Sequence, residues 1–252
     1  MFDIRVKRTF LDIVVNAFYQ VADEIVMDID KDEVRVSAID ASHIRLVRLR
    51  AIQYYVDYVG DSERICIRME DLGEVLDTIK SEELRLVYNP GERGLVMDII
   101  SDCGMSAEVN LEDPSEMIEP NDPPVKYDWV ITLPGVSVIP IYNIAHFADI
   151  VVLRLTESEF VAGTYPDEDD HGPIFKLTIE KYFGDKSARV LLSGSFLEEV
   201  MGILRDLKPT SFTLMMKDNK PIKISFNTFN DNIVIDQFLA PRIENDAVDS
   251  KR

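Results

Sequence analysis

Cysteine is scarce in this chain of 252 residues: only Cys66 and Cys103 occur. Two isolated cysteines make no disulfide framework of the kind that staples small secreted domains. Histidine is scarce as well, and His43, His146 and His171 lack the spacing of metal ligands. There is no GxGxxG, no P-loop and no GxSxG, so dinucleotide, nucleotide and hydrolase chemistry have no signature here. Basic residues are outnumbered: 27 Lys and Arg stand against 46 Asp and Glu, a net charge of −19. Such a surface argues against wholesale wrapping of nucleic acid, whose phosphates it repels, but leaves a local basic surface open. The longest weakly polar run, residues 129–142, is broken by Pro134, Gly135 and Pro140 and is shorter than the ~20 residues of a membrane span. The opening MFDIRVKRTF lacks a signal-peptide pattern. A soluble intracellular protein with no membrane partner is expected.

The hydrophobic fraction of 46% with 9% aromatics suits a packed globule. The chain also repeats itself. EIVMDIDKDEVRVSA (24–38) and DIVVLRLTESEFVAG (149–163) share an acidic residue followed by Ile-Val, a polar turn and resumed alternation, a hairpin pattern displaced by 125 residues, from 24 to 149. Before each hairpin comes a helical stretch, 9–22 and 135–148. After each comes a second helix, 71–79 and 196–204, in which Leu72, Glu74 and Val75 match Leu197, Glu199 and Val200. Alternating segments follow at 84–87 and 95–99, and at 212–215 and 222–226. Each half reads strand, helix, strands, helix, strands. This predicts an α+β fold of two topologically similar domains, each an antiparallel sheet with helices on one face. Between them, LEDPSEMIEPNDPPVK (111–126) carries four prolines, which cannot sit inside a ladder, and reads as a stiff connector. The expected parts are residues 1–112, a connector at 113–126, residues 127–244 and a polar tail at 245–252.

The cluster PDEDDHG (166–172) is the one tempting catalytic feature, but four adjacent carboxylates are most stable in water and match no calcium loop. Cys66, in alternating RICIRM, reads as a packed strand residue. No catalytic residue, metal or cofactor is expected, and a binding protein remains.

Two segments carry a resemblance. Ala38-Ile39-Asp40-Ala41-Ser42-His43-Ile44 is similar to an A-M-D-S-S-H-V-like segment, and Phe238-Leu239-Ala240-Pro241-Arg242-Ile243-Glu244 to a Y-L-A-P-K-I-E-like ending. With the Met1-Phe2-Asp3 start, the duplication and the connector, the chain resembles the DNA sliding clamps of the proliferating cell nuclear antigen family. The resemblance implies two clamp domains per subunit and a trimeric ring of six domains. Antiparallel sheets lie outside, and two helices per domain line a hole that encircles double-stranded DNA without reading sequence. It implies a processivity factor that tethers replicative DNA polymerase, clamp loader, flap endonuclease and DNA ligase, in the cytoplasm of an archaeon or the nucleus of a eukaryote.

The same resemblance implies a groove for PIP-box-like peptides. It is formed by Ile39, His43, Ile44 and Leu46, by Met117, Ile118 and Pro120 of the connector, and by Pro221 with Phe238, Leu239, Ala240, Pro241, Arg242 and Ile243. Met117 and Ile118 fit this reading, because two apolar residues in an acidic, proline-rich linker each forgo roughly 1.5–3 kcal/mol of burial. The subunit edges are expected at Ala107, Val109 and Leu111 and at Phe175, Leu177 and Ile179.

The family lines its hole with basic helices, and here the pattern departs. Counted over 9–22, 70–80, 135–148 and 195–208, the four helical regions carry eight acids (Asp12, Glu70, Asp71, Glu74, Asp77, Glu198, Glu199, Asp206) against three bases (Lys80, Arg205, Lys208). Lys7, Arg8, Lys80, Arg205 and Lys208 are the candidate DNA-facing residues. Three readings stay open: a homotrimer that contacts DNA through loops and strands, a member of a mixed ring whose sister chains supply the bases, or a paralogue with weakened DNA contact. A scaffold that never encircles DNA is the alternative outside the clamp class.

Overall fold

A computed structural model of the chain describes residues 1–116, 120–165, 172–178 and 187–242. These fall into two compact units, Met1–Asp122 with Phe226–Gln237, and Pro123–Ser225 with Phe238–Arg252. The sequence assigns all of 127–244 to the second domain, whereas Phe226–Gln237 join the first unit. The reason is pairing that no local pattern reveals: the Ile52 N–H donates to the Asn232 carbonyl at 2.9 Å, and the Arg45 guanidinium donates to the Gln237 side-chain oxygen at 3.2 Å.

The first unit opens with β1 (Phe2–Lys7) and α1 (Arg8–Phe18). Then come β2 (Glu24–Ile29), β3 (Glu33–Ile39), β4 (Arg45–Ile52), β5 (Tyr55–Gly60) and β6 (Glu63–Arg68). After α2 (Met69–Thr78) the chain runs through β7 (Glu83–Tyr88), the short α3 (Pro90–Arg93), β8 (Val96–Ser101) and β9 (Ser106–Glu112). The paired strands are antiparallel, in the order β4-β3-β2-β6-β9-β8-β7-β1-β5. Strand alternation sends Phe2, Ile4 and Val6 of β1, and Ile25, Met27 and Ile29 of β2, into the core. Phe10, Val14 and Phe18 of α1, with Leu72 and Leu76 of α2, supply the helical side of it.

The second unit repeats the order. It runs β10 (Trp129–Pro134), α4 (Val138–Phe147), β11 (Ile150–Leu155), β12 (Glu159–Thr164), β13 (Ile174–Thr178), β14 (Ala188–Ser193), α5 (Gly194–Leu207) and β15 (Ser211–Met216). The final hairpin, β16 (Ile222–Thr228) and β17 (Ile233–Leu239), divides between the units. Within the second unit β10, β15 and β16 form one sheet, and β13-β12-β11-β14 another. A single turn of 3₁₀ helix, Gly135–Ser137, precedes α4, so Pro140 falls in the helix's first turn, where its missing N–H has no partner to lose.

The duplication extends to turn chemistry. Between β2 and β3, Asp30 Oδ1 accepts the N–H groups of Asp32 and Glu33 at 2.7 and 2.8 Å. Between β11 and β12, Thr156 Oγ1 accepts the Glu159 N–H at 3.2 Å in the equivalent place. Side chains that mimic a backbone acceptor tighten both hairpins. Where α5 starts beside the end of α4, a Cβ on Gly194 would lie 1.7 Å from the Ala148 carbonyl oxygen, so only glycine permits that approach.

Candidate partner groove and DNA-facing surface

The residues expected to form the groove divide between the two units. In the first unit, the β3–β4 turn is organised by Asp40. Its Oδ1 accepts the N–H groups of Ile44 and Arg45 at 2.8 and 2.6 Å, and its Oδ2 that of Ser42 at 3.2 Å. This network holds His43 in the left-handed region, φ 56°, and leaves its side chain exposed with Ile44 half-buried. Ile39 is half-buried and pairs in register with Leu46, which is buried in the sheet and offers little open surface. Pro120 is fixed through its carbonyl, which accepts from the Arg48 guanidinium, and Arg48 Nε lies 2.7 Å from the Asp122 carboxylate. Met117 and Ile118 lie outside the described residues. Asp40 and Arg48 are the residues that sequence reasoning passed over. An Asp two to five residues before a turn's N–H groups is a readable signal, whereas nothing in the sequence near Arg48 announces Pro120 and Asp122.

In the second unit, Phe238 and Leu239 are buried, and the Lys223 ammonium sits 5.3 Å from the centre of the Phe238 ring. Ala240, Pro241 and Pro221 are half-buried and Arg242 is exposed. The segment does not trail away, because the Arg242 N–H donates to the Leu191 carbonyl of β14 at 2.8 Å. Ile243 lies outside the described residues.

The expected edges are strands in both units. Val109 and Leu111 of β9 are buried, Ala107 is half-buried, and Ala107 and Val109 stand opposite Ile99 and Met97 of β8. On its other side β9 meets β6 only at Leu111 and Glu112, so residues 106–110 present an open backbone edge among the described residues. Among the described residues, β13 pairs only with β12. Its Phe175 and Leu177 are half-buried, its Ile174 is exposed, and Phe175 stands edge-on to Phe160 at 6.4 Å. Ile179 lies outside the described residues.

Among the bases expected to face DNA, three have other work. The Arg8 guanidinium donates to the carbonyls of Leu76 and Ile79, closing the last turn of α2, and its Nε lies 3.3 Å from Asp12. Lys80 Nζ lies 3.2 Å from Asp77 and 3.3 Å from the Leu76 carbonyl. Arg205 pairs with Asp206 at 3.0 Å and covers the Tyr142 ring at 4.5 Å. Arg8 is thus a helix cap and not a free cation. Lys7 is exposed and lies 5.9 Å from the Phe229 ring centre. Lys208 is exposed as the left-handed cap of α5, φ 49°. α4 presents no Asp, Glu, Lys or Arg, and Ile139 and Phe147 stand exposed on it.

Burial pushes the Cys66 thiol up to about 11, which keeps it protonated and inert. The acidic cluster 166–171 lies outside the described residues. Among those described, no group of three or more His, Cys, Asp or Glu side chains is arranged to hold a metal ion, and no helix is long and apolar enough to cross a membrane.

No protein-family model matches the chain. It is 26% identical over 249 residues to the DNA polymerase sliding clamp of Methanothermobacter thermautotrophicus, covering 96% of each chain. Its fold matches that of the A. fulgidus PCNA solved with the C-terminal region of FEN-1, with a TM-score of 0.84 at 19% identity, over 97% of this chain and 100% of that one. The Proliferating Cellular Nuclear Antigen of Entamoeba histolytica matches with a TM-score of 0.80 at 18% identity, over 96% and 99%. A repeated α+β module, a proline-rich connector, a Phe-Leu-Ala-Pro-Arg ending and end-to-end similarity agree, and the chain is similar over nearly its whole length to DNA polymerase sliding clamps and shares the fold of the proliferating cell nuclear antigens.

Proposed function

We propose that the chain works as a sliding clamp, a ring of subunits that encircles duplex DNA and tethers replication and repair proteins to it. The observation that carries this reading is the match over 96% of both chains with a protein named DNA polymerase sliding clamp. The open edges of β9 and β13 support it, since a head-to-tail ring needs two different edges per subunit and covers both on closing. An encircled duplex cannot leave sideways, so the contacts to phosphate are weak and exchangeable. The tether raises the polymerase's effective concentration at the primer end. The role is one of binding and not of catalysis, and nucleotide-driven loading falls to a separate clamp loader. Partner peptides with apolar anchors dock by way of the His43–Ile44 turn, the connector and the Ala240–Arg242 segment. The bound FEN-1 region of the A. fulgidus relative supports a peptide partner of this kind. The protein works inside the cell, where its DNA is.

The test is polymerase synthesis on a primed circular template with a loader present. Stimulation that is lost on linear DNA with free ends supports the ring, and no stimulation on the circle overturns it. A second reading, membership of a mixed ring, is favoured by the engagement of Arg8, Lys80 and Arg205 with carbonyls and carboxylates. Light scattering of the lone chain separates the two: a trimer at micromolar concentration supports the homotrimer, and a monomer the mixed ring.

A further inference from the structure

Against a net charge of −19, one stretch of the second unit gathers bases. Among the described residues β14 is the last strand of its sheet, and its outer carbonyls accept from other segments. The Arg189 carbonyl takes the Asn219 N–H at 3.2 Å, and the Leu191 carbonyl takes the Arg242 N–H at 2.8 Å. Residues two apart on a strand present their carbonyls to the same side, about 7 Å apart. The turn between β15 and β16 and the Ala240–Arg242 segment are therefore neighbours, and each brings bases. Lys220 is exposed on the turn and Arg242 on the segment, while the Lys223 ammonium sits 5.3 Å from the centre of the Phe238 ring. The carboxylates close by are engaged. Asp128 holds Lys217 Nζ at 3.1 Å, and Asp218 Oδ1 accepts the Arg189 N–H at 3.0 Å. Among the described residues, the side chains of Lys220 and Arg242 make no ion pair. The same stretch offers half-buried Pro221, Ala240 and Pro241 as apolar surface.

We propose that this basic rim selects the partner peptide: the segment that docks at Ala240–Arg242 carries aspartate or glutamate beside its apolar anchors. The proposal rests on the tethering role given above and adds the chemistry of the peptide. The acidic bulk of the chain repels such a peptide at long range and attracts a basic one. A preference for carboxylates must therefore come from bases at the site itself, where the Arg242 fork and the Lys220 ammonium meet an incoming carboxylate at close range. The apolar anchors supply most of the affinity, and the charges at the rim discriminate between partners.

The experiment uses the full chain and three fluorescent peptides, followed by anisotropy across a salt series. Two share the same aromatic and aliphatic anchors, one flanked by glutamates and the other by lysines. The third has glutamate flanks and alanine at every anchor. At low salt the anchored glutamate peptide is expected to bind about three- to tenfold tighter than the lysine peptide, a ratio that shrinks as salt rises. Lys220→Gln with Arg242→Gln is expected to bring the ratio to about one, and Lys220→Glu with Arg242→Glu to invert it. The control, Lys31→Glu with Arg35→Glu on the β2–β3 hairpin, makes the same charge change and is expected to keep the ratio within about twofold of the parent's. Circular dichroism checks that each variant folds. Equal binding of the two anchored peptides by the parent, tighter binding of the lysine peptide, or the same change of ratio in the control would overturn the proposal and leave the tethering role standing. No binding of either anchored peptide, or equal binding of the alanine peptide, would overturn the peptide groove and the proposal together.

Discussion

Arg48 of β4 holds the connector: its Nε lies 2.7 Å from the Asp122 carboxylate, and its guanidinium also donates to the Pro120 carbonyl. A strand of the first unit therefore sets where the linker runs beside the β3–β4 turn. Arg48→Ala is expected to leave the melting temperature nearly unchanged, because a half-exposed ion pair contributes only about 0.2–1 kcal/mol. Limited proteolysis within 113–126 should quicken, and titration with partner peptides should show a loss of about two- to fivefold. Unchanged cleavage would show that the connector is held by other contacts.

Asp40 is nearly buried, and its carboxylate takes three backbone N–H groups. Removing a buried acceptor leaves those donors short, at a cost of roughly 1–3 kcal/mol. Asp40→Ala should lower the urea midpoint accordingly, and Asp40→Asn, which keeps one acceptor oxygen, should lower it less. Equal midpoints for the two variants would mean that the turn does not depend on the side chain.

At Gly194 the space for a side chain is already occupied by the Ala148 carbonyl oxygen, 1.7 Å from the position of a Cβ. Gly194→Ala must push the start of α5 away from the end of α4, an overpacking cost of about 1–3 kcal/mol or more. Gly73→Ala is the comparison, with nothing within 4 Å of its Cβ position and a helical site where alanine is favoured. A calorimetric scan should show a lower transition for the first variant and an equal or higher one for the second.

The two thiols should separate cleanly. Burial raises the Cys66 thiol to about 11 from an ordinary 9.0, while the Ser101 hydroxyl, bonded to the exposed Cys103 sulfur, lowers that thiol below its ordinary value. A thiol reagent at pH 8 should modify Cys103 alone in the native protein and both after unfolding. The stability contribution has a definite sign. Between 9 and about 11 the native state keeps the Cys66 proton that the unfolded chain has lost, so this group destabilises the fold as pH rises above 9. Cys66→Ala should flatten that alkaline slope.

The periodic elements were legible in the residues themselves. Phe10, Val14 and Phe18 repeat at helical spacing, and β2 and β3 alternate on either side of a polar turn. Both patterns are set by the geometry of the local chain. The bases read otherwise. Arg8 stands in the sequence as an unpaired cation ahead of a helix, and Lys80 as the one base of an acidic segment. In the folded chain both close carbonyls of the last turn of α2, and Arg8 does so from about seventy residues away.

By itself the sequence determined the class of fold, the internal duplication and the resemblance to sliding clamps, because each is written in spacing and order that survive without knowing any long-range contact. Only the tertiary structure decided which charges remain available. That Phe226–Gln237 packs with the first unit, that Arg48 grips Asp122, and that Arg8 closes the Leu76 and Ile79 carbonyls of α2 are long-range pairings. An ion pair or helix cap forms wherever folding brings its partners within a few ångströms, and no local periodicity encodes that distance.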